Sequence, residues 1–228
     1  MEEQPTANSD RSGRIQIKVC GLTDPQQAAA CAALGADAIG LIFYPPSPRY
    51  VEPSRAAEIA AAVRGKAAAV GVFVNVAAEE ILAGVERWGL TYVQLHGNEP
   101  PEEVVRLKRA GVRVIKALFL EKEPGFARVS AYTADGFLLE CGIGKLPGGN
   151  ARRWDWSQAA GLAPVPTILA GGLDPDNIVR AVSLARPDAV DVSSGVEAAP
   201  GYKDLKKVEA FIAAVRGTTG HRTRQLFG

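Results

Sequence analysis

The stretch IQIKVCGLTDPQQAAACAALG, residues 15–35, shows the pattern that decides the fold. It begins with a short, mostly apolar run of the kind that forms a buried parallel strand. A helix is predicted to follow, because Asp24 suits the N-cap, Pro25 suits the first helical position and Gly35 suits a left-handed C-cap. The stretch therefore predicts a strand, a loop and a helix in that order.

The same strand-then-helix pattern recurs as far as residue 214. The strand candidates are IQIKV (15–19), DAIGLIF (37–43), KAAAVGVFV (66–74), TYVQLH (91–96), VRVIKAL (112–118), GFLLE (136–140), PTILA (166–170) and DAVDVS (188–193). Eight such units without an inserted domain predict a single (β/α)₈ TIM barrel, and a doubly wound open sheet is the alternative. We expect the barrel at residues 15–215, between a mobile N-terminal tail (1–14) and a mobile C-terminal tail (216–228).

The composition excludes several classes of protein. The 228 residues are 47% apolar and 22% charged, which is ordinary for a soluble globular chain. The net charge of +1 gives no electrostatic reason to expect nucleic acid or a membrane surface as a partner. No apolar run approaches the roughly 20 residues of a spanning helix, and the polar N-terminal stretch does not resemble a secretory signal, so we expect a cytoplasmic protein.

The cysteines and histidines favour neither a disulfide framework nor a metal site. The sequence has 3 Cys and 2 His, without a C-x-x-C pair. Cys31 and Cys141 are interpreted as packing residues. Cys20, at the end of the first strand, is open to four interpretations from the residues alone: a packing residue, half of a disulfide, a metal ligand or a catalytic thiol.

The loops after strands seven and eight predict a phosphate site. LAGGLDPDN (169–177) and DVSSGVE (191–197) place small residues between a strand and a helix, where backbone N–H groups can approach an anion closely. These are the usual phosphate-binding loops of a (β/α)₈ barrel. The alternative is that the glycines only permit tight turns. The candidate phosphate residues are Gly171, Gly172, Ser193, Ser194 and Gly195.

Four further polar residues lie at predicted strand ends or in the loops that follow. Arg49 lies in a Pro-rich loop, where it is interpreted either as a carboxylate-binding guanidinium or as a solvated or salt-bridged surface residue. His96 is interpreted as structural or catalytic, Asp191 as fixing the geometry of the eighth loop, and Lys116 as extending from the rim.

Six segments, in order, resemble phosphoribosylanthranilate isomerase, a family of tryptophan biosynthesis: KVCGLT, GLIFYPPSPRYV, VGVFVN, VQLHGNE, LAGGLDPDNI and DVSSGVE…PGYKD. The resemblance implies a barrel enzyme without a cofactor. It further implies conversion of N-(5-phosphoribosyl)anthranilate to 1-(2-carboxyphenylamino)-1-deoxyribulose 5-phosphate by an Amadori rearrangement. The partner would be this small phosphorylated substrate, bound by a monomer or homodimer.

The resemblance also implies roles for single residues. Cys20 would be the general base, Arg49 would hold the anthranilate carboxylate, and the two small-residue loops would hold the phosphate. We expect His96 and Asp191 to contact the substrate as well.

The chain departs from the family pattern at the end of strand six. The family has an aspartate there as the general acid, whereas this chain has Glu140, followed by an unusual loop with Arg152 and Arg153. We expect Glu140 to be the acid. The alternatives are another acid, Asp155 or Asp135, or a protein that has drifted to a different phosphosugar substrate.

The rival functions are of two kinds. A non-catalytic or substrate-shifted phosphosugar-binding barrel of the same family would keep the phosphate loops. An indole-glycerol-phosphate synthase would need a catalytic lysine with several carboxylates, and a pentose-phosphate epimerase would need metal-binding histidines, which this sequence does not supply.

Overall fold

Eight parallel strands close into a barrel in sequence order in the computed structural model, which describes residues 13–142, 153–218 and 223–228. The last strand pairs with the first, with Lys18 opposite Asp191. The predicted (β/α)₈ barrel is confirmed, and every strand candidate overlaps its strand. The strands are β1 (Gln16–Cys20), β2 (Ala38–Ile42), β3 (Ala68–Phe73), β4 (Tyr92–Leu95), β5 (Arg113–Phe119), β6 (Gly136–Glu140), β7 (Thr167–Leu169) and β8 (Ala189–Val192).

The helices surround this barrel. They are α1 (Pro25–Ala33), α2 (Pro53–Val63), α3 (Ala78–Leu82), α4 (Pro101–Arg109), α5 (Ile178–Ala185) and α6 (Leu205–Arg216). The side chain of Asp24 accepts a hydrogen bond from the Gln27 N–H at 2.9 Å, which confirms the predicted N-cap of α1.

Some connections lack a full helix. Short 3₁₀ helices, and no α-helix, are described after β5 and before β7, at Phe126–Ala131 and Trp156–Ala159. A third 3₁₀ helix, Ser194–Val196, follows β8 and leads into a small antiparallel pair, β9 (Glu197–Ala199) and β10 (Tyr202–Lys203). These elements extend the eighth loop over the C-terminal end of the barrel.

Alternation along the strands separates two faces. In β1, Ile17 and Val19 pack in the apolar layer between strands and helices. The intervening Lys18 and Cys20 therefore point into the barrel, since successive side chains of a strand point to opposite faces. The position of a residue within its strand thus decides whether its side chain points into the barrel.

Residues 223–228 close the N-terminal end of the barrel and do not form the mobile tail expected from the sequence. Leu226 and Phe227 are buried with the inner apolar side chains. The side-chain oxygen of Gln16 accepts the N–H groups of Leu226 and Phe227 at 2.7 and 3.0 Å. The Phe227 ring packs edge-on to Tyr92, with 5.4 Å between ring centroids. The tail expected at the N-terminus lies, up to residue 12, outside the described residues.

Candidate active site

The C-terminal end of the barrel brings together four of the residues expected at the site. Cys20 comes from β1, His96 from the end of β4, Glu140 from the end of β6 and Asp191 from β8. Cys20, His96 and Glu140 are buried, and the side chain of Asp191 is 11% exposed. Asp191 lies within electrostatic range of the other three. A cluster of ionisable groups therefore faces inward where barrels of this kind carry out chemistry.

A buried ion pair supports the β1 side of this cluster. The Lys18 ammonium donates to Asp191 Oδ1 at 2.9 Å. Burial alone would lower the pKa of Lys18, but the charges of Asp191 and Cys20 outweigh that effect, and the pKa is raised. Lys18 therefore stays positively charged beside the thiol.

The Cys20 thiol packs against Gly40 on the neighbouring strand, where a Cβ atom would lie 2.5 Å from the sulfur. Burial raises the pKa of Cys20, while the Lys18 ammonium opposes this shift. None of the three buried cysteines, Cys20, Cys31 and Cys141, forms a disulfide, so Cys20 is not half of one. Within the described ranges, no group of His, Cys, Asp and Glu side chains is arranged to hold a metal ion.

Arg49 is not a solvated surface residue, because it is 6% exposed and held by Glu197. Its Nε and Nη2 atoms donate to the two carboxylate oxygens at 2.8 and 2.7 Å. Glu197 also accepts from Lys203 Nζ at 2.7 Å, and Lys203 in turn donates to the Ser193 carbonyl at 3.2 Å. Burial lowers the pKa of Lys203, and Glu197 opposes this shift.

Glu197 and Lys203 are site residues that the sequence analysis did not single out. Both lie in the last resembling segment, DVSSGVE…PGYKD, so the signal was present in the sequence. A lysine and a glutamate after the last strand look like ordinary surface residues until the fold buries them. Together they connect the Arg49 loop to the eighth loop.

Glu140 faces His96 across the barrel mouth, with 3.5 Å between His96 Nε2 and Glu140 Oε2. The His96 ring packs edge-on to Phe119 at 5.5 Å between centroids. Gly171 makes room for the longer acid, since a Cβ atom there would lie 3.3 Å from Glu140 Cγ. Glu140 is therefore the carboxyl group that lines the site at the end of β6.

The two alternative acids lie elsewhere. Asp135 precedes β6, where its carboxylate binds the Val114 N–H and Lys108, both at 2.7 Å. Asp155 is exposed and bonds Ser157, and those hydrogen bonds lower the pKa of Asp155. A carboxyl group with a lowered pKa is a poor proton donor at neutral pH. Arg152 lies outside the described residues, and the exposed Arg153 pairs with Asp174 at 2.8 Å.

The candidate phosphate loops approach each other backbone to backbone. Gly171 and Gly172 have φ of +89° and +69°, which glycine adopts without strain. A Cβ atom at Gly195 would lie 1.9 Å from the Leu173 carbonyl oxygen, so only glycine fits between the two loops. Ser193 Oγ donates to the Cys20 carbonyl at 3.0 Å, which connects the eighth loop to β1. Ser194 begins the short 3₁₀ helix beside them.

Lys116 does not extend from the rim as expected, because it is fully buried behind the fourth loop. Its ammonium donates to Glu99 and to the Gly97 carbonyl, both at 2.8 Å. Lys116 therefore supports the loop that follows His96 and does not line the barrel mouth.

Comparison with known proteins gives this site its family. The model of N-(5'-phosphoribosyl)anthranilate (PRA) isomerase matches residues 17–214. The PRA isomerase of Desulfatibacillum aliphaticivorans is 51% identical over 215 residues, and the match covers 93% of this chain and 99% of that protein. The chain belongs to the PRA isomerase family.

Two solved PRA isomerases agree with this assignment. One, from Thermotoga maritima, is described as monomers generated from a dimeric enzyme; it is 36% identical with a TM-score of 0.77, over 90% of this chain and 100% of that one. The other is a complex with reduced 1-(o-carboxyphenylamino)-1-deoxyribulose 5-phosphate, with 36% identity, a TM-score of 0.78 and the same coverage. Across the part of the chain that the structure describes, no helix is long and apolar enough to cross a membrane.

Proposed function

We propose that this PRA isomerase converts N-(5'-phosphoribosyl)anthranilate to 1-(2-carboxyphenylamino)-1-deoxyribulose 5-phosphate, with Cys20 as general base and Glu140 as general acid. One observation carries the proposal. A buried thiol at the end of β1 and a buried carboxyl group at the end of β6 both point into the barrel at its C-terminal end. Around the closed barrel, β7 and β8 separate β6 from β1. The two groups can therefore approach one substrate from different directions.

The reaction needs an acid at the ring oxygen and a base at C2, the two ribose atoms that flank C1. Glu140 protonates the ring oxygen, the C1–O bond breaks, and the nitrogen lone pair forms a C1=N iminium. Cys20, as thiolate, removes the proton from C2, which gives an enolamine that tautomerises to the C2 ketone with a new C–H bond at C1. Substrate and product are isomers, so no oxidant or reductant is required.

Charge and hydrogen-bond donors support the two binding roles. Arg49 uses one N–H on Nε and one on Nη2 for Glu197, which leaves its remaining three N–H groups for the anthranilate carboxylate. The phosphate is assigned to the glycine-rich seventh loop and the Ser193–Gly195 turn. These two loops approach each other so closely that no side chain fits at Gly195. Asp191 contributes by keeping Lys18 in place beside the thiol.

The first test follows the fluorescence of freshly prepared phosphoribosylanthranilate on addition of purified protein. Wild type should consume the substrate rapidly, whereas Cys20→Ala and Glu140→Gln should each lower kcat by about a thousandfold, since each removes a proton-transfer group. Cys31→Ala is the matched control, because burial also raises the pKa of that thiol, to about 11, but Cys31 lies on α1 outside the barrel. It should keep wild-type kcat.

Two outcomes would contradict the proposal. An active Cys20→Ala variant would show that another group is the base. A folded wild type that binds the reduced product analogue but does not consume substrate would favour a phosphosugar-binding barrel without turnover.

A further inference from the structure

We propose that Gln94 is a positioning residue that fixes the tautomer of His96, so that the proton on Glu140 can pass only to the substrate. The role of Glu140 rests on the proposed function, whereas the tautomer does not. Gln94 lies on β4, two residues before His96. Alternation along the strand therefore places both side chains on the inner face of the barrel.

Three side chains form a chain of contacts across the barrel mouth. Gln94 Nε2 lies 2.9 Å from His96 Nδ1, and the other ring nitrogen, Nε2, lies 3.5 Å from Glu140 Oε2. Gln94 is 1% exposed, so water does not compete for the imidazole on that side. The edge-on contact with Phe119 holds the plane of the ring.

The amide of Gln94 determines where the imidazole proton lies. A ring nitrogen that accepts an amide N–H needs a free lone pair, so the neutral His96 ring carries its proton on Nε2, facing Glu140. With the amide turned round, Nδ1 would carry the proton and the lone pair of the other ring nitrogen would face Glu140. In the structure the Nε2 atom of Gln94, and not Oε1, lies 2.9 Å from His96 Nδ1, which corresponds to the first arrangement.

The tautomer matters for the direction of proton transfer. With hydrogen on Nε2, His96 has no lone pair toward Glu140 and cannot take its proton. The ring instead presents a donor that stabilises the carboxylate formed once Glu140 has protonated the ring oxygen. Asp191 also faces His96 from β8, but the Lys18 ammonium at 2.9 Å balances its charge.

The burial of Gln94 argues for a role in the site and not in packing. Its Oε1 atom is buried and has no hydrogen-bond partner among the residues that the structure describes. An unpaired buried acceptor destabilises a fold, and an apolar side chain of similar shape would avoid that cost. What Gln94 supplies to the structure is its one N–H bond to His96.

The tautomer can be measured directly by NMR. The sequence has two histidines, so His221→Asn leaves His96 as the single imidazole. Long-range ¹H–¹⁵N couplings are recorded on the ¹⁵N-labelled protein without substrate, at mildly alkaline pH, where an ordinary imidazole is neutral. We expect the pattern of an Nε2–H ring. An Nδ1–H ring would overturn the inference whatever the activity.

Two variants then test whether Gln94 is the cause. Gln94→Glu offers Nδ1 only acceptors, so it should place a proton there, and Gln94→Met should leave a mixture of tautomers. Both should lower kcat about tenfold to a hundredfold with little change in KM, and thermal unfolding checks that both fold. Wild-type tautomer and kcat in both variants would overturn the role of Gln94.

Failure of the proposed function is distinguishable from failure of this inference. An Nε2–H ring in a protein without isomerase activity would contradict the function while leaving the tautomer assignment intact.

Discussion

The two ends of the barrel are closed in opposite ways. At the C-terminal end the inner face carries buried ionisable groups: Cys20, His96, Glu140 and the Lys18–Asp191 pair. At the N-terminal end the inner face is filled by apolar and aromatic side chains, among them Leu226 and Phe227 from the end of the chain. One end is built for chemistry and the other for stability.

The difference shows what each end costs the fold. Burying charged groups is unfavourable unless they are paired, and the site pairs Lys18 with Asp191 and Arg49 with Glu197. The opposite end instead removes apolar surface from water, which is the main favourable contribution to folding. Substitutions at the two ends should therefore affect different observables.

The largest expected effect is on stability, from Phe227→Ala. Truncating a buried phenylalanine costs about 3 kcal/mol or more of the free energy of unfolding, which corresponds to roughly 10 °C in Tm for a chain of this size. Urea unfolding measures the loss, and kcat and KM should stay at wild-type values while the protein is folded. A fall in kcat would show that the two ends are coupled.

Tyr202→Ala is the matched control, because this aromatic side chain is 59% exposed. Its truncation should change the free energy of unfolding by less than about 0.5 kcal/mol.

Residues 223–228, which close the N-terminal end of the barrel, show where sequence reasoning stops. The strands could be predicted because their apolar runs and the helix caps between them are local signals. Leu226 and Phe227 are two apolar residues at the end of a polar segment, and their partners Gln16 and Tyr92 lie more than 130 positions away in the sequence. Only the closed barrel creates the cavity that they fill, so no local pattern predicts it.

The site was predictable in the same uneven way. Cys20, His96, Glu140 and Asp191 stand at strand ends, where the fold itself predicts chemistry, and the structure brings them together. Gln94 could have been found from the alternation in β4, since a glutamine on the inner face of a parallel strand is unusual.

The next effect in size is on catalysis, from Glu140→Asp. This substitution restores the acid that the family pattern has at the end of strand six but shortens the side chain by one methylene. Because Gly171 leaves room for the longer acid, we expect the carboxyl group of aspartate to fall short and kcat to drop about tenfold to a hundredfold. Steady-state kinetics measure this, with little change in Tm.

Wild-type kcat in Glu140→Asp would mean that the site does not depend on the longer side chain.

The smallest expected effect is a shift in the pH at which the Cys20 thiol ionises. Burial raises the pKa of Cys20 above its ordinary value of 9.0, with Lys18 and Lys203 opposing the shift. The fraction of Cys20 present as thiolate, measured by its rate of alkylation, should therefore increase with pH, about tenfold per unit below the thiol pKa, and keep increasing beyond pH 9. Lys203→Met removes an opposing charge, so it should move the rising limb to higher pH, whereas the exposed Lys206→Met should not. A limb that stays at its wild-type pH in Lys203→Met would mean that Lys203 does not act on the thiol.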